Sequence, residues 1–403
     1  MDIIEVARAV LSLTILVFLA WCMSSNKRMF NWRMVGTGIA IQCLLAVLVL
    51  RTESGQWAMN ATNRGVTKLV EMANVGAELV FGENFQDHFV AFSITSTIIF
   101  FSSVMAVLYH LGILQRVVQL MSAVIVKLMP VSGAESLSAC ANVFIGNTEA
   151  PLMVKPYLEK MTRSELMTLM TGGMATISGG MMAVYVGFGA NAGYLLTASL
   201  MAAPASLMIA KIIHPETGTP ETLAGNPVTM KSEDVNALAA LCRGAATGVK
   251  LAINVLAMLI AFISVAALLN FLMGLLPAVA GEPLTIQRLL GWAFLPMAWL
   301  IGADATDAHA VGQLLGVKMF LGEFLAYIDL GTMAGQISER SYAIATFALC
   351  GFGNFVAIGI QIGGIGSLAE SRKDDLARLG LKAMLGGTIV TMMTATIAGL
   401  LLR

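Results

Sequence analysis

Apolar stretches about as long as a bilayer is thick recur along this chain, and they constrain its fold more than any other feature. A helix needs about 20 mainly apolar residues to cross the hydrocarbon core. The chain is 57% hydrophobic and 12% charged, whereas soluble domains carry about 25% charged residues. We therefore predict an all-α integral membrane protein with about eight transmembrane helices. The predicted spans are 9–23, 35–50, 89–108, 166–188, 194–213, 249–276, 343–366 and 383–402.

Between these spans lie apolar segments that are too short, too polar or too rich in glycine to cross the membrane simply. Residues 66–80 are amphipathic, which predicts an interfacial helix along the membrane surface. Residues 115–161 and 284–330 each contain two short helical pieces around a glycine-containing break. Such re-entrant hairpins are tolerated where protein or water surrounds them. Each precedes a glycine-rich span and a plain apolar span, which is typical of an inverted-repeat transport domain.

These patterns divide the chain into five parts. Residues 1–114 hold the N-terminal spans and the interfacial helix, and they form a scaffold together with a long helix at 249–280. Residues 115–213 and 281–403 are the two repeat halves, each with its re-entrant hairpin. The hydrophilic, proline-containing linker at 214–248 separates these halves.

Charge and motif content set the orientation and exclude several classes of protein. The basic loop 26–33 follows the first span, so the positive-inside rule places it in the cytoplasm and the N-terminus outside. The N-terminus has no cleavage site and is interpreted as mature sequence. A formal net charge of zero implies no nucleic-acid partner, and five cysteines without CxxC spacing indicate neither a disulfide framework nor a zinc site. Without HExxH, P-loop or nucleophile-elbow motifs, an enzyme or an ATP-driven pump has no support.

Two carboxylates, Glu149 and Glu323, lie inside stretches that otherwise predict membrane-embedded structure. A charged side chain at bilayer depth costs about 2.5–3.5 kcal/mol on insertion scales, so it usually marks a substrate or ion path. Gly322 precedes Glu323, and glycine and proline flank Glu149, so both carboxylates lie near helix breaks. Broken helices of this kind hold the binding site in secondary transporters. The alternative for Glu149 is a structural carboxylate that is satisfied by Lys155 or Lys160.

Two asparagines are further candidates. Asn142 lies one helical turn before Gly146, where the carbonyls of a hairpin tip could complete a site for a hard monovalent cation. The alternative is a polar contact between helices. Asn354 stands between Phe352 and Phe355 in a glycine-broken span, where it can hydrogen-bond a planar polar ligand. Its alternative role is also helix packing.

Several of these residues together resemble a known family, the concentrative nucleoside transporters. The motif Gly146-x-Thr-Glu-Ala-Pro151 resembles the family's first hairpin, and Glu323-Phe-Leu-Ala-Tyr327 resembles its second. Residues 350–354 (Cys-Gly-Phe-Gly-Asn) and 362–366 (Ile-Gly-Gly-Ile-Gly) resemble its seventh span. The resemblance covers most of the chain.

The resemblance implies a homotrimer in a bacterial inner membrane, where a sodium ion or a proton drives nucleoside uptake and no cofactor is needed. A transport domain would move against a trimerising scaffold surrounded by membrane lipid. The implied substrate contacts are Asn147, Thr148, Glu149 and Phe352 at the nucleobase, with Glu323 and Asn354 at the ribose hydroxyls. The implied sodium site consists of Asn142, Ile145, Thr176 and Ile177.

Two departures from the family pattern fall at the implied substrate contacts. Asn147 stands where the family usually has glutamine, and Val356 and Ala357 stand where a serine usually reaches the ribose. A lost hydroxyl removes a hydrogen bond worth about 0.5–1.5 kcal/mol. These changes leave the transporter class intact and suggest a different preferred nucleoside, such as the modified nucleoside pseudouridine.

Two competing functions remain at the level of sequence. In a proton-coupled carrier of another small polar, nucleobase-like solute, Glu149 or Glu323 takes the proton and Asn142 is only a structural contact. A channel is the second alternative, but the glycine and glutamate breaks in both halves and the absence of an acidic ring speak against it.

Overall fold

A computed structural model describes residues 3–88, 90–222, 234–277, 281 and 283–402. In the first half the α-helices are α1 (Ile3–Cys22), α2 (Trp32–Leu50), α3 (Glu53–Phe81), α4 (Ser93–His110), α5 (Ile113–Leu128), α6 (Gly133–Ala141), α7 (Ala150–Met153), α8 (Arg163–Ala175), α9 (Gly179–Gly187) and α10 (Ala192–Ile213). They continue with α11 (Ala237–Met273), α12 (Ile286–Leu300), α13 (Ala308–Leu321), α14 (Glu323–Thr332), α15 (Glu339–Leu349), α16 (Phe355–Leu368) and α17 (Lys373–Leu401). Short 3-10 turns lie at Lys27–Met29, Glu83–His88, Lys155–Tyr157 and Glu370–Arg372.

The predicted all-α membrane fold is confirmed. Among the described residues, seven segments are long and apolar enough to cross a membrane. They correspond to seven of the predicted spans, and the eighth, 343–366, is divided between α15 and α16. Helices α8, α10 and α17 form the buried centre of the protein, whereas α1, α2 and α11 are largely exposed and form its periphery.

Two predicted spans are interrupted near their middle. The span predicted at 166–188 separates into α8 and α9 because Thr176 is extended and the Ser178 side chain caps α9 by accepting from Met181 N at 3.3 Å. The span predicted at 343–366 unwinds between Cys350 and Asn354. The two interruptions are in contact, because a Cβ at Gly351 would lie 2.9 Å from the carbonyl carbon of Ala175. A larger residue than glycine would separate them.

The order of elements in the first half recurs in the second. The first half consists of α5, the pair α6 and α7, the broken span of α8 and α9, and α10. The second half consists, in the same order, of α12, the pair α13 and α14, the broken span of α15 and α16, and α17. We call α6 with α7 hairpin 1 and α13 with α14 hairpin 2. The regions predicted to hold two helical pieces each therefore hold three, because α5 and α12 precede the hairpins as separate helices.

Some predicted boundaries need correction. The interfacial helix predicted at 66–80 belongs to the longer helix α3, since Thr52 caps its start by accepting from Gly55 N at 3.0 Å. The scaffold helix predicted to begin at 249 begins at Ala237, where Asn236 caps it and shortens the linker. The predictions for residues 223–233 of the linker, for Phe89 at the start of the third span, and for 278–280 lie outside the described residues.

Candidate substrate and cation site

A cavity of about 460 Å³ lies between the two hairpins, the start of α16 and one face of α11. The hairpin tips contribute residues 146–149 and 321–325, and the unwound segment before α16 contributes Phe352 and Asn354. Helix α11 closes the opposite side with a mainly apolar face that includes Leu251, Met258 and Phe262. The same face also carries Thr247, Lys250 and Asn254, but both carboxylates of the lining lie on the hairpin side. Such an arrangement is expected for a site that orients a small polar ligand.

Glu323 and Asn354 meet on the hairpin side of this cavity. Glu323 is 6% exposed, and its carboxylate accepts a hydrogen bond from the Asn354 side-chain amide and another from the Tyr185 hydroxyl at 3.1 Å. The Asn354 carbonyl oxygen caps α16 by accepting from Ala357 N at 2.8 Å. The two residues predicted to bind ribose are therefore brought together from two elements that are 31 residues apart.

Tyr185 is a member of this cluster that the sequence did not reveal. It is fully buried on α9 and stacks on Tyr327, with ring centroids 4.1 Å apart. Tyr327 in turn donates from its hydroxyl to the carbonyl of Thr346 at 2.8 Å. This stack fixes the Tyr185 hydroxyl against Glu323, which lies 138 residues away in sequence. The only sequence signal was a phenol in an otherwise apolar helix.

The tip of hairpin 1 faces the same cavity. Asn147, Thr148 and Glu149 all line it, and Thr148 is exposed while the other two are half-buried. Glu149 folds back over Gly146, where a Cβ would lie 2.3 Å from the carboxylate oxygen Oε2. The alternative ion pair of Glu149 with Lys155 or Lys160 is not present among the described residues, and Lys160 pairs with Glu221 at 3.0 Å instead.

The aromatic residues beside Asn354 differ in position. Phe352 lines the cavity, and its role beside a planar ligand stays a prediction. Phe355 points elsewhere and packs against Phe320, with ring centroids 5.4 Å apart. Val356 and Ala357, the two positions that depart from the family pattern, also line the cavity.

Asn142 caps the end of α6 in hairpin 1 and lies beside Gly172 in the last turn of α8. It is 1% exposed, and its amide nitrogen donates to the carbonyl of Ser138 at 3.0 Å. Its side-chain oxygen is buried without a hydrogen-bond partner among the described residues. A buried, unpaired amide oxygen is costly, so this atom is suited to receive a cation.

Of the other residues predicted for the cation site, Thr176 is linked to Asn142 through Gly172. A Cβ at Gly172 would lie 3.5 Å from the Asn142 amide nitrogen, and the Thr176 hydroxyl donates to the carbonyl of the same Gly172 at 3.0 Å. Ile177 follows Thr176 and is buried, whereas Ile145 is half-buried at the hairpin tip. An amide oxygen and carbonyls at interrupted helices fit a sodium ion, and we find no cluster of His, Cys, Asp and Glu for a metal among the described residues.

Three family models cover nearly the whole chain. The C-terminal model of Na⁺-dependent nucleoside transporters matches residues 194–399, the N-terminal model matches 11–84, and a nucleoside-recognition gate model matches 91–192. The chain belongs to the Na⁺-dependent, or concentrative, nucleoside transporter family. This membership confirms that the protein is a transporter rather than an enzyme.

Individual relatives agree with this assignment. The transporter is 41% identical to an uncharacterized transporter of Haemophilus influenzae, with 98% of both chains covered. It is 37% identical to the nucleoside permease NupC of Helicobacter pylori, with 97% of both covered. It is 39% identical to solute carrier family 28 member 3 of Rattus norvegicus, of whose length it spans 58%; the match covers 96% of this chain.

Solved structures share the fold. The transporter superposes on the inward-facing, substrate-bound state of CNTnw with a TM-score of 0.91 at 36% identity, covering 98% of each chain. It superposes on an outward-facing variant of CNTnw with a TM-score of 0.92 at 35% identity, covering 99% of this chain and 98% of the other.

Proposed function

We propose that this transporter carries nucleosides into the cell across a bacterial inner membrane by symport with sodium. The observation that carries the proposal is the convergence of Glu323 and Asn354 with the tip of hairpin 1 on one side of a cavity of about 460 Å³. That volume suits a small ligand, and the two groups of polar side chains match the two polar ends of a nucleoside.

The ribose end is proposed to bind at Glu323 and Asn354. A carboxylate offers several lone pairs and can accept hydrogen bonds from two neighbouring hydroxyls, and the Asn354 amide can donate to one of them. Bonds that involve an ionised group are stronger than neutral ones. The ligand hydroxyls would replace the hydrogen bond that these two side chains make with each other.

The nucleobase end is proposed to bind at Asn147, Thr148 and Glu149, with Phe352 beside the ring. These side chains offer amide, hydroxyl and carboxylate groups to the donors and acceptors of a base edge. Because Asn147 is short and Ala357 lacks a hydroxyl, the base must supply a larger share of the affinity. We propose that this favours a modified nucleoside with an additional N–H donor, such as pseudouridine.

Sodium is proposed to bind at Asn142, Ile145, Thr176 and Ile177. Asn142 ends α6 and directly precedes the tip of hairpin 1, so a cation at its side-chain oxygen would order the backbone that presents Asn147. Sodium would then raise the affinity for nucleoside, and nucleoside would raise the affinity for sodium by the same factor.

A homotrimer is the proposed assembly. Helix α11 has 37 residues and would extend over about 55 Å, and most of its apolar side chains are exposed in the single chain. Part of this surface faces the cavity, and we propose that another part contacts neighbouring subunits.

Uptake in proteoliposomes tests the proposal. Labelled uridine should accumulate when sodium is higher outside, and the accumulation should disappear when potassium replaces sodium. Pseudouridine and the common nucleosides are then compared as competitors. Accumulation that follows a proton gradient without sodium would contradict sodium coupling, and the absence of any nucleoside uptake would contradict the proposal as a whole.

A further inference from the structure

Lys318 is a fully buried lysine whose hydrogen-bond partners are neutral. It lies on α13, is 1% exposed, and donates from Nζ to the carbonyl of Ala348 at 2.7 Å and to the Thr391 hydroxyl oxygen at 2.9 Å. Lys318 makes no ion pair within hydrogen-bonding distance of a described carboxylate, but its charge lies close enough to interact electrostatically with Glu323. A buried cation is costly unless its surroundings compensate it, so this position calls for an explanation.

The repeated order of elements gives Lys318 a counterpart in the first half. Asn142 lies four residues before Gly146 at the tip of hairpin 1, and Lys318 lies four residues before Gly322 at the tip of hairpin 2. Asn142 is next to Gly172, in the last turn of α8 before that helix ends, and Lys318 bonds Ala348 in the last turn of α15. The two side chains thus occupy matching positions beside two interrupted spans.

The end of α15 is a favourable place for positive charge. The last carbonyls of a helix have no partner within the helix, and the helix dipole puts partial negative charge there. Beyond Ala348 the chain unwinds through Gly351 to Asn354, which bonds Glu323. Lys318 also reaches Thr391 on α17, so its ammonium group fastens three helices around the segment that presents Asn354.

We propose that the Lys318 ammonium group is a tethered cation that does in the second half what sodium does in the first. It holds the interrupted span so that Asn354 and Glu323 stay in place for the ribose. The ribose end is then formed without sodium, and sodium is required only to form the base end. Lys318 is a positioning residue, since it acts through the segment that presents Asn354 and through the field that it exerts on Glu323. The inference rests on the proposed sodium-coupled function.

Binding to purified protein tests this assignment. Dissociation constants are measured with and without sodium for uridine and 3′-deoxyuridine, in wild type, Lys318→Ala and Lys318→Gln. Wild type should discriminate between the two ligands in both conditions. Lys318→Ala should lose at least about 10-fold of that discrimination, as expected for a charge-assisted hydrogen bond. Lys318→Gln should lose it too, because it keeps donors without the charge.

Chemical rescue separates a tethered cation from a packing role. Methylammonium, a compact cation, should restore the discrimination in Lys318→Ala but should not change it in wild type, while tetramethylammonium is too large to do so. Lys68→Ala is the matched control, because Lys68 is an exposed lysine that pairs with Glu71. If Lys318→Ala does not fold with or without methylammonium, the inference is tested by the discrimination between uridine and 3′-deoxyuridine in Lys318→Gln.

Three results would overturn the inference: wild-type discrimination in either Lys318 variant, loss that methylammonium does not reverse in folded Lys318→Ala, or wild-type discrimination that requires sodium. Each of these can be observed only if wild type binds uridine. Wild-type protein that binds no nucleoside would instead refute the proposed function, and this inference with it.

Discussion

Replacing Glu323 by glutamine removes the charge at the proposed ribose end and leaves the side-chain shape unchanged. Glu323 is 6% exposed and accepts hydrogen bonds from Tyr185 and Asn354. A hydrogen bond to a charged group contributes about 1.5–3 kcal/mol, compared with about 0.5–1.5 kcal/mol for a neutral one. If two ribose hydroxyls bond this carboxylate, losing the charge costs about 2–3 kcal/mol, or about 30- to 150-fold in kcat/KM.

The assay is uptake of uridine, 2′-deoxyuridine and 2′,3′-dideoxyuridine into proteoliposomes. Glu323→Gln should impair the first strongly and the second less, and should barely change the third, which has neither hydroxyl. Tyr185→Phe is the control, because it removes one neutral donor and keeps the carboxylate; we expect a loss of about 3- to 10-fold. Wild-type kinetics in Glu323→Gln, or equal losses for all three ligands, would refute the reasoning.

Three further predictions concern hairpin 1 and its surroundings. Asn142→Ala should raise the sodium concentration for half-maximal uridine uptake by about 10-fold or more. The yield of folded protein should not fall. An unchanged sodium activation curve would show that Asn142 is only a packing contact. Gly173→Ala should weaken nucleoside binding in a titration, because the new Cβ would lie 2.9 Å from Asn147 Cβ and 2.5 Å from Gln361 Nε2; unchanged affinity would show that the tip tolerates displacement. Asn147→Gln combined with Ala357→Ser should shift preference toward ordinary uridine or adenosine, and identical competition profiles before and after would show that these positions do not set specificity.

The residues that sequence reasoning could find are those whose presence in lipid is costly. Glu149, Glu323 and Asn354 stand out in apolar stretches because a polar group there needs a reason, and all three line the cavity. The spans were found because long apolar stretches are typical of membrane helices. The assignment of these three residues to substrate or cation remains a proposal.

The residues that sequence reasoning missed depend on contacts across long separations. Tyr185 matters because packing on Tyr327 carries its hydroxyl to Glu323, and nothing near Tyr185 in sequence records that. Lys318 resembles a lysine at a helix end until its carbonyl partner at Ala348 is seen. The interruption after α8 was also missed, because residues 176–178 contain neither glycine nor proline; the backbone N–H of Gly179 bonds the carbonyl of Phe144 in hairpin 1 at 3.1 Å instead.

The two sides of the cavity differ in the kind of contact that they offer to a ligand. The hairpin side offers directional hydrogen bonds, whereas the part of α11 around Leu251, Met258 and Phe262 offers apolar contact. A polar solute bound by the hairpins can move along that apolar surface with little loss of free energy. A nucleoside with an added apolar substituent that reaches Phe262 would bind both sides of the cavity and oppose their separation. We therefore expect nucleosides extended in this direction to inhibit the transporter instead of being transported.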